Sequence, residues 1–178
     1  EYLDAVDRLP KGINYSAYMG HSALRTYVMG ERAFTDTATP DDLEAMKREM
    51  HNAIRAGAIG FTTSRTRNHQ TPDGQPVASR LATWDEVRQL VGVMGDLGAG
   101  IFEIATEDTG LAPDRIQEFL NRLKALALDT NVPVTFGMFS NRKAPEYWRH
   151  YYELANETVA AGGKMFVQAH SRALSVLL

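Results

Sequence analysis

The sequence contains no cysteine. Within these residues that excludes a disulfide framework and a thiolate metal site. It suits a reducing compartment, and a cytoplasmic location is expected. Basic excess is lacking as well: 19 Lys and Arg stand against 22 Asp and Glu, for a formal net charge of −3. Both signs are interspersed, without the basic patch that tracks nucleic acid, so no nucleic-acid partner is expected. No apolar run is long enough to span a bilayer and no signal peptide is read, so no membrane partner is expected. The 178 residues suffice for one domain with a sizeable core, and 1–178 is read as one. The opening EYLDAVDRL reads as the body of a helix, and the closing SRALSVLL stops without a cap. Both ends are therefore expected to be cut from something larger.

What is present is a rhythm of short apolar runs and longer helical stretches. The runs are INYSAYMG (13–20), AIGFTTS (58–64), GIFEIAT (100–106), PVTFGMF (133–139) and KMFVQAH (164–170). Each is bounded by Gly or Pro and is short enough for a buried strand. Between them, Thr39-Pro40-Asp41-Asp42 gives a capping Thr, a Pro at the first helical position and acids in the first turn. Thr83-Trp84-Asp85-Glu86 predicts a capping box, with Glu86 reaching back to the Thr83 amide. Pro113 and Pro145 open two further helices. Alternating strands and helices predict parallel strands with crossover helices. The fold class is therefore α/β. A closed eight-stranded barrel needs ~250 residues and rarely fewer than ~200, so this chain holds only part of one. Three post-strand loops are polar or long: His21 to Ala38, Arg65 to Ala82 and Thr106 to Ala112. In barrels such stretches form the active face.

Particular residues then name a family. Tyr18-Met19-Gly20-His21-Ser22-Ala23-Leu24-Arg25, followed by Tyr27-Val28-Met29-Gly30, resembles the GHxxLR…VMG stretch of D-aminoacylases. These are N-acyl-D-amino-acid deacylases of the amidohydrolase superfamily. ATPDDLEAMKREMHNAIRAGAIGFTTS is similar to their TPxEL…AGAxGxST pattern, and Ser64 to Gly74 resembles an SRTxxHxTxDG motif of one branch. The fold implied is a partial TIM-type (β/α) barrel, its central part. The activity implied is metal-dependent hydrolysis of the amide bond of N-acyl D-amino acids or related linear amides. Zinc is the cofactor implied for the full-length parent, where it would lower the pKa of bound water to ~7 and polarise the scissile carbonyl. The family's HxH pair, bridging ligand and late Asp lie outside this chain. Two ligand histidines should lie inside it, but Ala105 and Met138 stand at those positions. The isolated chain is therefore expected to be inactive and to hold no metal of its own. The alternative is a non-catalytic barrel relative kept as a binding or assembly module.

The candidate substrate-binding residues are His21, Arg25, Ser64, Arg65 and His69. Each has a plainer reading. His21 either contacts substrate or fixes a turn. Arg25 either clamps a carboxylate with its planar fork or forms a salt bridge. Ser64, Arg65 and His69 open the longest loop and suit a small-molecule N-acyl amino acid. Equally, Arg65 can pair with Asp73 in a structural hairpin around Pro72-Asp73-Gly74. His170 ends the fifth run on the same face. His51 and His150 read as surface residues, and Tyr147, Trp148, Tyr151 and Tyr152 as a packing stripe. Glu103, Glu107 and Asp108 form an acidic group that either binds or complements a helix N-terminus. Which way Glu103 faces is left open by the sequence. A partial barrel leaves strand edges free, so self-association is expected.

Overall fold

A computed structural model describes residues 2–139 and 144–169. Five parallel strands form one sheet in sequential order: β1 (Met19–Gly20), β2 (Gly60–Ser64), β3 (Ile101–Ala105), β4 (Val134–Gly137) and β5 (Met165–Gln168). Among the described residues the sheet does not close on itself. Six α-helices accompany it among the described residues: α1 (Tyr2–Asp7), α2 (His21–Met29), α3 (Pro40–Arg55), α4 (Trp84–Leu97), α5 (Pro113–Thr130) and α6 (Trp148–Ala160). This is an α/β fold of the kind the strand–helix rhythm predicts. No helix among the described residues is long and apolar enough to cross a membrane.

Sequential parallel order sends every right-handed crossover to the same side of the sheet. The strands alternate accordingly. Phe61, Phe102, Ile104, Val134, Phe136 and Met165 face the helices and are buried with Met46, Leu90, Met94, Leu123 and Leu154. The other face carries Thr62, Glu103, Thr135 and Phe166, which are matched across the sheet in one row. Phe166 is 58% exposed there. Gly60 lets β2 meet β3 closely, because a Cβ at this position would sit 1.9 Å from the Ile101 carbonyl oxygen.

The helix signals act largely as expected. Thr39 and Asp42 form a reciprocal capping box on α3, and the Asp42 carboxylate also takes two bonds from Arg32. Arg32 and the Thr39 amide hold its carboxyl far below the usual carboxylate range. Gly98 ends α4 in the left-handed region at φ 60°. Three expectations need correction. Of the run 13–20, only Met19 and Gly20 pair as strand. Ile13 is 81% exposed and Tyr15 40%, so no burial supports a longer strand. The stretch from His21 is not a loop: it is α2 followed by a 3-10 turn, Gly30–Phe34. Finally, α6 begins at Trp148, and Pro145 sits in the turn before it.

Candidate active face

The C-terminal ends of the strands surround an open cavity of about 960 Å3. Gly20, Ser64, Ala105, Gly137 and Gln168 bring all five strands to its lining. This is the face on which barrels place their chemistry.

His21 stands where β1 turns into α2 and is 1% exposed. Its ring packs on Phe61, with centroids 5.0 Å apart. Nε2 lies 2.8 Å from the Glu86 carboxylate and Nδ1 lies 2.8 Å from the Thr63 hydroxyl. A carboxylate only accepts, so Nε2–H donates to Glu86 and the neutral ring accepts from Thr63 at Nδ1. Burial pushes the His21 pKa down, and it outweighs the opposing pull of Glu86. Burial alone would raise Glu86, but hydrogen bonds from His21 and Arg25 overcome it and leave its carboxyl below the usual range. The Glu86 backbone amide does donate to the Thr83 hydroxyl, at 3.1 Å. Its carboxylate does not complete the expected box, because His21 and Arg25 hold it instead.

Arg25 is fully buried. Its guanidinium donates to Glu86 at 2.5 Å and to the carbonyls of Ala33 at 3.3 Å and Asp36 at 2.9 Å. The structure thus places Arg25 behind the cavity wall, tying α2, α4 and the 3-10 turn together. His21 joins that group from the cavity side.

The loop from Arg65 to Ala82 folds back as a hairpin around Gly74, at φ 79°, with Gln70 bridging Pro76. Ser64 Oγ lies 2.6 Å from His69 Nδ1, and both line the cavity. Ser79 fastens the loop beneath: its hydroxyl donates to the Ser64 carbonyl and its amide donates to the Ser22 hydroxyl, each at 3.1 Å. Arg65 turns away from the hairpin. It pairs with Glu107 at 3.2 Å and donates to the Ala82 carbonyl at 2.5 Å, so Asp73 is not its partner. Arg67 pairs with Asp108 at 3.0 Å. The acidic group therefore divides. Glu107 and Asp108 bind arginines across two loops, and Glu103 alone lines the cavity.

The remaining candidates fall as follows. His51 and His150 are exposed. Tyr151 is buried against Phe136, whereas Tyr152 is 50% exposed, so the aromatic stripe only partly packs inward. His170 lies outside the described residues. The Arg65–Glu107 and His21–Glu86 pairings had no sequence signal, because 42 and 65 residues separate the partners.

The metal implied by the resemblance is not matched by the donors here. Ala105 closes β3 without a donor atom, and Met138 packs against the core. Among the described residues, no three His, Cys, Asp or Glu side chains gather to hold an ion.

Comparison with known proteins fits this geometry. No family model matches the chain. An uncharacterized protein of Mycobacterium tuberculosis is 38% identical over 106 residues, covering 55% of this chain and 17% of that protein. The D-aminoacylase of Alcaligenes xylosoxydans xylosoxydans is 28% identical over 149 residues, covering 84% of this chain and 28% of that enzyme. A D-aminoacylase crystal structure superposes with a TM-score of 0.73 at 22% identity, over 96% of this chain and 33% of its own. The N-acyl-D-glutamate deacylase of Bordetella bronchiseptica, solved with zinc and a phosphonate mimic of the tetrahedral intermediate, gives 0.72 at 19% identity, over 93% and 32%. The chain thus spans a third or less of each of these four proteins. Its fold is that of an amidohydrolase (β/α) barrel, in part. Within that class it resembles the D-aminoacylases, as the GHSALR and SRTRNH stretches imply.

Proposed function

We propose that residues 1–178 form the middle of a larger amidohydrolase that cleaves the amide bond of N-acyl D-amino acids or related linear amides. The observation that carries this reading is the cavity at the C-terminal strand ends of a D-aminoacylase-like fold, walled by polar side chains. In this reading Ser64 and His69 touch the substrate. His21 presents its ring edge at the base of the wall, while Arg25 and Arg65 hold that wall from behind. The zinc suggested by the related deacylase structure would rest on residues outside this chain, and no step here depends on it.

The test is release of free amine from a panel of N-acetyl D-amino acids and linear amides by the larger protein, with and without chelator. Turnover lost on chelation supports the reading. Ser64→Ala and His69→Ala are each expected to lower kcat/KM about tenfold, the scale of one lost hydrogen bond. Turnover by the 178-residue chain alone would show that this stretch is not a mere part. A second reading, a binding module without catalysis, is favoured by Ala105 and Met138 at the expected ligand positions. Ligand binding by the larger protein with no turnover on the whole panel would select it.

The sheet among the described residues has two free edges, β1 and β5. Unpaired edges template further pairing. We therefore propose that the 178-residue chain self-associates. A mass by light scattering that stays monomeric at every concentration would count against this.

A further inference from the structure

We propose that this wall of the cavity selects a ligand bearing a protonated amine, held at Glu103. The inference goes beyond amide hydrolysis and does not require it.

Direction comes first. Strand β3 alternates, with Phe102 and Ile104 buried toward the helices. Glu103 therefore points to the opposite face, where it lines the cavity. The register sets it mid-sheet, between Thr62 and Thr135. Two residues further along the same face, Ala105 is too small to cover it. The carboxylate thus has open space above it at the strand end.

The charge balance comes next. Glu103 is the one carboxylate among the described residues that line the cavity, and no Lys or Arg is among them. The arginines nearby are already engaged. Arg25 is held by Glu86 at 2.5 Å, Arg65 by Glu107 at 3.2 Å and Arg67 by Asp108 at 3.0 Å. Arg80 donates to the backbone carbonyls of Arg67 and His69. The backbone of Glu103 belongs to the sheet ladder, but its carboxylate has neither a hydrogen bond nor an ion pair with any described residue. Thr62, Ser64, Asn68 and Thr106 add uncharged hydrogen-bonding groups to the lining. A half-buried carboxylate without a counter-ion attracts a cation and repels an anion, more strongly than in bulk water. A ligand carboxylate would meet this wall without a partner, whereas an ammonium group would complete it with a charge-assisted hydrogen bond.

The experiment compares two amides of equal length that differ in their far end. These are N-(5-aminopentyl)acetamide and 6-acetamidohexanoate. Binding of each to the protein is measured by calorimetry in the presence of chelator. The amine is expected to bind at least tenfold tighter than the carboxylate. Glu103→Gln should bring the two within twofold while melting like the parent, and Glu103→Asp should keep part of the preference. Equal or tighter binding of the carboxylate would overturn the proposal. So would binding of neither compound, a preference that survives Glu103→Gln, or one that appears only when a divalent metal is added. Binding is read without turnover, so a larger protein that prefers the amine but, free of chelator, hydrolyses nothing on the amide panel leaves this inference standing and removes the deacylase reading.

Discussion

Two glutamates on neighbouring βα units have opposite fates. Glu86 lies on α4 at 3% exposure and is saturated by His21 and Arg25. Glu103 lies on β3, half-buried at the cavity, and its carboxylate binds no described residue. A buried carboxylate must be paired or it destabilises the fold. One at an open wall can stay unpaired because water reaches it until a ligand does. The first is therefore spent on architecture, and the second is free for recognition.

The largest expected effect breaks the saturated site. Glu86→Ala leaves Arg25 buried without its counter-charge and should cost about 3–5 kcal/mol, read as a shift in the urea midpoint. Next comes the pair that joins the two loops: Arg65→Ala removes its bonds to Glu107 and the Ala82 carbonyl and should cost about 1–2 kcal/mol. A pH series then sharpens the contrast. The folded state holds His21 below its ordinary value, so its contribution is complete above about pH 6.5. It is lost as pH falls below that point toward the folded pKa. Melting temperature should drop between pH 7 and 5, and His21→Gln should flatten that drop. A slope unchanged in the variant would place the sensitivity elsewhere. The smallest effect is at the bare site. Glu103→Gln should change stability by less than about 0.5 kcal/mol and alter only what binds.

All five strands lie within runs that Gly and Pro mark off in the sequence, and the caps at Thr39 and Thr83 sit where the residues place them. Those signals are local, and local chemistry is what a sequence displays. Helix α2 escaped because its N-cap, Gly20, offers no side chain and its first residue is a buried histidine. Glu86 misled for a related reason. Three residues after a threonine it matches a capping box, but a histidine and an arginine more than 60 residues earlier compete for its carboxylate and win. In the site, the SRTRNH stretch singled out Ser64 and His69 as candidates, and the fold adds their contact and their place on the cavity wall. The partners of the arginines were not legible, since each arginine had several acids within reach and only the fold decides among them.

The sequential order of the strands has a consequence for how the chain comes together. Every strand pairs with the strand just before or after it in the chain. No unit must wait for a distant one, so the loop-closure entropy falls due in small instalments. Such a sheet can grow like a zipper, one βα unit at a time from the N-terminal side as the chain emerges. In such a sequence the hairpin at Gly74 can clasp the β3 loop, through Arg67 and Asp108, before α6 has formed.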